Sequence, residues 1–92
     1  MKARAEVRFS GKVQGVYFRA YTKRFADELG VMGFVKNMPD GSVYAVFEGE
    51  KESIEEVIRK LRDEHPYACV KSIEIKWLSC RDEFNEFKIL YD

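Results

Sequence analysis

The sequence predicts an α+β sandwich in which one mainly antiparallel sheet carries two helices on a single face. Three observations carry that expectation. Apolar and polar residues alternate with period two in several short segments. Two longer segments repeat their apolar residues at helical spacing. The two kinds follow one another as β-α-β-β-α-β with a further strand at the C-terminus.

Ala5, Val7 and Phe9 alternate with Glu6, Arg8 and Ser10, which reads as the first strand. Gly11 and Gly15 then bracket a short loop. From Phe18 the apolar face runs through Thr22, Phe25, Ala26 and Leu29, a helix for which Gly30 is a fitting stop. Residues 31–37 and 43–48 read as the second and third strands. Between them, Pro39 presets a turn and Gly41 supplies a positive φ, so the pair is expected to form a hairpin. Ser53 and Glu56 have the spacing of a capping box, which starts the second helix at Ser53. Ile54, Val57, Ile58 and Leu61 form its apolar face, and it ends before Pro66. Ile73, Ile75 and Trp77 give a fourth strand; Phe87, Ile89 and Tyr91 give a fifth. Trp77 and the aromatics of these last strands are expected in the core. This order is that of the ferredoxin-like sandwich, which hosts many functions and decides none.

The 92 residues fit one domain, 1–92, with no repeat or linker to argue for a second. The chain lacks an apolar run of the ~20 residues a membrane span needs, and residues 1–5 carry no signal-peptide pattern. A cytoplasmic protein with no membrane partner is expected. Small size and a closed sandwich suggest a monomer. Cys69 and Cys80 are too few for a disulfide framework or a zinc ribbon. On one extended strand, residues so spaced lie up to roughly 35 Å apart. Both are therefore read as free thiols.

Sixteen bases balance sixteen acids overall, yet residues 1–24 hold seven bases against the single acid Glu6. Solvated faces account for most such bases. The alternative is that the amino-terminal quarter builds an anion site. Residues 11–19 favour it locally, because a strand, a glycine-bearing loop and a helix start follow in succession. Such a loop turns backbone N–H groups inward, the helix start adds unpaired donors, and Arg19 offers a planar fork. A tight turn with a solvated arginine is the plainer reading of the same residues. Asn37, at a strand end, is read either as a turn former or as a carboxamide that positions water. His65 is the sole histidine, without the clustered ligands a metal needs, and no Ser or Cys has a base at triad spacing.

Val13-Gln14-Gly15-Val16-Tyr17-Phe18-Arg19 resembles the phosphate loop of the acylphosphatase family, V-Q-G-V-x-F-R. Gly33-Phe34-Val35-Lys36-Asn37, followed by Asp40-Gly41-Ser42-Val43, resembles that family's second signature. Glu28-Leu29-Gly30, Phe47-Glu48-Gly49 and the closing Phe84, Phe87 and Ile89 are in register with it. The variable positions are Tyr17 and Tyr44. The resemblance implies hydrolysis of a small acyl phosphate, a carboxylic-phosphoric anhydride, without metal, cofactor or phosphoenzyme. It implies that Arg19 binds the phosphate, with backbone amides of Gln14, Gly15, Val16, Tyr17, Phe18 and Arg19 completing the cradle. Asn37 would orient the attacking water, and the substrate's own phosphate would help accept its proton.

Two other classes share the element order. An RNA-recognition module would place stacking aromatics in a set run on its third strand. Here that strand spaces its aromatics poorly and is flanked by Glu48 and Glu50, so no nucleic-acid partner is expected. A ligand-sensing domain would not need Arg19 and Asn37 together. Larger enzymes carry such a domain ahead of zinc-binding segments; a chain ending at Asp92 is expected to act alone.

Overall fold

The computed structural model describes residues 1–91. The elements in order are β1 (Lys2–Lys12), α1 (Phe18–Glu28), β2 (Met32–Asn37), β3 (Val43–Glu50), α2 (Lys51–Asp63), β4 (Cys69–Leu78) and β5 (Phe87–Leu90). The five strands form one sheet in the order β4-β1-β3-β2-β5. Its pairings are antiparallel except for β2 with β5, where Val35 stands beside Ile89. This is the expected ferredoxin-like α+β architecture.

Period two decides which face is covered. Ala5, Val7 and Phe9 of β1 and Val43, Ala45 and Phe47 of β3 have no exposed surface, and they point towards the helices. Helix α1 meets them with Phe18, Thr22, Phe25 and Ala26, and α2 with Ile54, Val57, Ile58 and Leu61. Helix α1 lies over β2 and β5, whereas α2 lies over β3, β1 and β4. Each such Val, Leu, Ile or Phe contributes about 1.5–3 kcal/mol when fully buried, which sets the sheet register firmly.

Three local expectations are corrected. The second helix begins at Lys51, with Glu50 as its cap and no side-chain capping bond, so Ser53 is not the N-cap. Strand β3 runs straight into α2, and the Lys51 N–H donates to the Met1 carbonyl at 3.0 Å. Glu56 does not fold back; it holds Arg59 through two 2.8 Å hydrogen bonds. Gly11 lies within β1 at a register shift between Ser10 and Gly11. A Cβ there would stand 2.3 Å from the Cys69 carbonyl oxygen, so the bulge requires glycine. Trp77 is 36% exposed because edge strand β4 overhangs the helical layer, and its ring carries the Lys51 ammonium 5.1 Å from the centroid. Phe87, in contrast, is buried as expected.

The basic amino-terminal quarter is mostly neutralised from elsewhere in the chain. Arg4 pairs with Glu48 and Glu83, Arg8 with Asp40, Lys2 with Asp82 and Lys23 with Asp27. Among the described residues, Lys12, Arg19 and Arg24 are the bases of that quarter left without an ion pair, and of these Arg19 stands in the first turn of α1, beside the glycine-bearing loop. Cys69 and Cys80 are free thiols.

Candidate active site

Residues 13–17 cross from the end of β1 to the start of α1. Gly15 has φ 75° and Tyr17 φ 62°, both left-handed. Alternation of this kind directs successive N–H groups to one side of the chain. Tyr17 caps α1 without a side-chain hydrogen bond, and the first turn of α1 contains no acidic residue. The N–H groups of Gly15 to Arg19 meet no protein acceptor among the described residues. They form a cluster of unpaired donors at the positive end of a helix, which suits an anion.

Arg19 lies in the first turn of α1. Its Nη1 donates to the Leu90 carbonyl at 3.1 Å, and its guanidinium lies 4.7 Å from the centre of the Tyr91 ring. The last strand thus holds the arginine from behind. Asn37 ends β2, next to β5 in the sheet. Turn formation falls to other side chains. Asp40 accepts the Ser42 N–H at 3.0 Å and the Ser42 hydroxyl at 2.6 Å, and these bonds, the hydroxyl first, hold its carboxyl below the usual range. The Asn37 carboxamide makes no hydrogen bond with the described residues, which leaves it available to a ligand or water.

A cavity of about 320 Å³ brings these features together. Its lining includes Gly15, Tyr17, Phe18, Arg19 and Asn37, joined by Val13, Ala20, Ile89 and Tyr91. Two of the anticipated loop residues face elsewhere. Val16 is buried in the core, and the Gln14 carboxamide donates to the carbonyls of Met38 (2.8 Å) and Ser42 (2.9 Å). Gln14 therefore pins the loop to the β2–β3 hairpin, and any contact of these two residues with an anion is through the backbone. Tyr91 was not anticipated as a site residue. Its alternation with Phe87 and Ile89 signalled the face it shares with them, but only the parallel pairing of β5 with β2 brings it beside Asn37.

His65 lies in the loop between α2 and β4 and is buried there. Its Nδ1 accepts the N–H groups of Tyr67 (3.1 Å) and Ala68 (3.0 Å), and its ring packs against Phe18 and Tyr21. That geometry suits a neutral imidazole, and burial pushes its pKa below 6.5. Among the described residues, no group of three or more His, Cys, Asp or Glu side chains is arranged to hold a metal.

A family model described as Acylphosphatase matches residues 5–89. The chain belongs to the acylphosphatase family. It is 44% identical over 90 residues to an acylphosphatase of Pelotomaculum thermopropionicum, covering 98% of both chains. It is 48% identical over 83 residues to one of Thermoplasma volcanium, covering 90% of this chain and 91% of that one. The crystal structure of acylphosphatase from Bacillus subtilis superimposes with a TM-score of 0.91 at 27% identity, over 99% of this chain and all of the other. The activity of the family is hydrolysis of acyl phosphates, so the chain is a hydrolase acting on an acid anhydride. No helix among the described residues is long and apolar enough to cross a membrane.

Proposed function

We propose that the 320 Å³ cavity is where the acyl phosphate is bound and hydrolysed, with Arg19 and Asn37 as its catalytic pair. The observation that carries this is convergence. Arg19 from the first signature and Asn37 from the second line one cavity, beside N–H donors that have no partner among the described residues. Arg19 binds two phosphoryl oxygens as a fork, and the amides between Gln14 and Arg19 cradle the third. Asn37 accepts a hydrogen bond from water and directs its oxygen at phosphorus.

The water oxygen forms the new P–O bond as the bridging P–O bond breaks. The electron pair of the broken bond leaves with the carboxylate. A water proton passes to a phosphate oxygen of the substrate, so no protein base is required. The leaving group is already good, and positioning with charge stabilisation is the larger part of the task. This reading needs neither metal nor cofactor, and it describes a single catalytic domain. The reading is of a cytoplasmic monomer, whose outer sheet face carries Glu6, Arg8 and Lys76.

Hydrolysis of benzoyl phosphate, followed by ultraviolet absorbance with and without EDTA, tests the proposal. Turnover should be insensitive to EDTA. Arg19→Ala and Asn37→Ala should each lower kcat on the order of a hundredfold or more while leaving the fold intact. Substantial turnover in a folded Asn37→Ala protein would overturn the role given to Asn37.

A further inference from the structure

We propose that the acyl group of the substrate lies against a rim formed by Tyr17 and Tyr67, which favours acyl phosphates whose acyl group presents a flat, apolar face. The inference rests on the roles given above to Arg19 and Asn37 and extends them to the other half of the substrate.

The first support is the direction of attack. Attacking and leaving oxygens of a phosphoryl transfer stand roughly in line, so the acyl group must depart on the side away from Asn37. The strand order fixes which side that is. The cradle follows β1, which has β4 on one side and β3, then β2, on the other. Asn37 ends β2, whereas Tyr67 stands just before the start of β4. These flanks are three strand spacings apart, roughly 14 Å. Water delivered from the β2 side therefore sends the carboxylate towards the β4 side.

The second support is what occupies that side. Tyr17 lines the cavity, is 73% exposed, and stands edge to face with Tyr67 at 6.5 Å between ring centres; Tyr67 is 60% exposed. Two large, exposed rings from separate loops thus meet, Tyr17 lining the cavity itself and Tyr67 standing outside it against Tyr17. Tyr17 holds them there from a left-handed backbone at φ 62°, a conformation disfavoured for a bulky residue. Tyr67 is fixed from below, since His65 accepts its N–H and packs against its ring at 6.3 Å. Rings oriented in advance bind a flat group with little ordering cost.

A second groove of about 380 Å³ also adjoins the cavity, lined by Lys36, Met38, Pro39 and Leu90 with Asn37 and Tyr91. It is apolar enough for an acyl chain, but it lies on Asn37's own side. An acyl group seated there would occupy the approach of the water.

Steady-state kinetics of Tyr67→Ala and Tyr67→Phe with benzoyl phosphate and acetyl phosphate test the assignment. Tyr67→Ala should raise KM for benzoyl phosphate, relative to KM for acetyl phosphate, by about three- to tenfold. Tyr67→Phe should restore the ratio. A ratio unmoved by Tyr67→Ala, or moved instead by Met38→Ala, would overturn the proposal. The Arg19 and Asn37 roles are judged separately, because Arg19→Ala and Asn37→Ala should depress both substrates together.

Discussion

Arg19 is held in place before any substrate arrives, by the Leu90 carbonyl and by the face of Tyr91. Removing the ring leaves the charge but loosens its aim. An exposed cation–π contact is worth about 0.5–1 kcal/mol, which corresponds to a two- to fivefold effect. Tyr91→Ala should lower kcat/KM for acetyl phosphate by about that factor, and Tyr91→Phe should not. Equal losses in the two variants would instead assign the effect to the phenolic hydroxyl. The contrast between Arg19 and Tyr91 also shows what single residues reveal in a sequence. Arg19 and Asn37 stand in dense local signatures, and the family resemblance of those signatures is what singles them out. Tyr91 gains its meaning from a parallel pairing between chain segments distant in sequence, which no local pattern encodes. The burial of His65 is hidden in the sequence for a related reason: its partners Phe18 and Tyr21 come from α1, distant along the chain.

At the scale of elements, the cradle and the β2–β3 hairpin must keep a fixed relation for Arg19 and Asn37 to meet. Gln14 supplies it through its two hydrogen bonds to Met38 and Ser42. Neutral hydrogen bonds contribute about 1 kcal/mol each. Gln14→Ala should therefore cost about 1–2 kcal/mol in denaturant unfolding. It should also lower kcat by more than it raises KM, because the cradle shifts relative to the Asn37 carboxamide proposed to hold the water. A loss of stability with kcat unchanged would make Gln14 a purely structural tie. The elements themselves were legible because period two and helical spacing follow directly from burial on one face. Their ends were less so. Ser53 and Glu56 have capping spacing, yet the direct passage of β3 into α2 and the Met1 carbonyl supplied a different start. Trp77 alternates like a core residue, but alternation cannot report that its strand lies at the edge of the sheet.

The whole molecule is tied across the sheet by a buried ion pair on the face away from the helices. Arg4 and Glu48 are both under a tenth exposed, with Arg4 Nη1 donating to Glu48 at 3.2 Å and to Glu83 at 2.7 Å. Glu48 also accepts the N–H groups of Arg81 (2.7 Å) and Glu83 (3.2 Å), which anchors the segment leading into β5. Burial works to raise the Glu48 pKa, but those amides and Arg4 outweigh it, and the carboxyl is held below 4.5. The folded protein therefore binds the Glu48 proton less readily than the unfolded chain. Its contribution to stability is complete above about pH 4.5 and is lost as pH falls through the lower folded value. His65 acts in the same sense in a higher window. Its contribution is complete above about pH 6.5 and is lost as pH falls through its depressed folded value, since a protonated Nδ1 cannot accept the Tyr67 and Ala68 amides. Unfolding free energy measured from pH 8 downwards should thus decline in two stages. Glu48→Gln should shrink the lower stage, in which the lowered Asp40 carboxyl also takes part, and cost up to about 3–5 kcal/mol at neutral pH, because Arg4 keeps only the half-exposed Glu83 as a charge partner. Replacing an ion pair by apolar residues is often nearly neutral, but here Arg4→Met with Glu48→Leu should still destabilise, since two backbone N–H groups would lose their acceptor. Those amides belong to the segment that feeds β5, and β5 ends at the carbonyl that holds Arg19. Hydrogen exchange of Arg81 and Glu83 should accordingly quicken in Glu48→Gln, together with a fall in acyl phosphate turnover. Unchanged turnover with the segment released would sever the link between this anchor and the site.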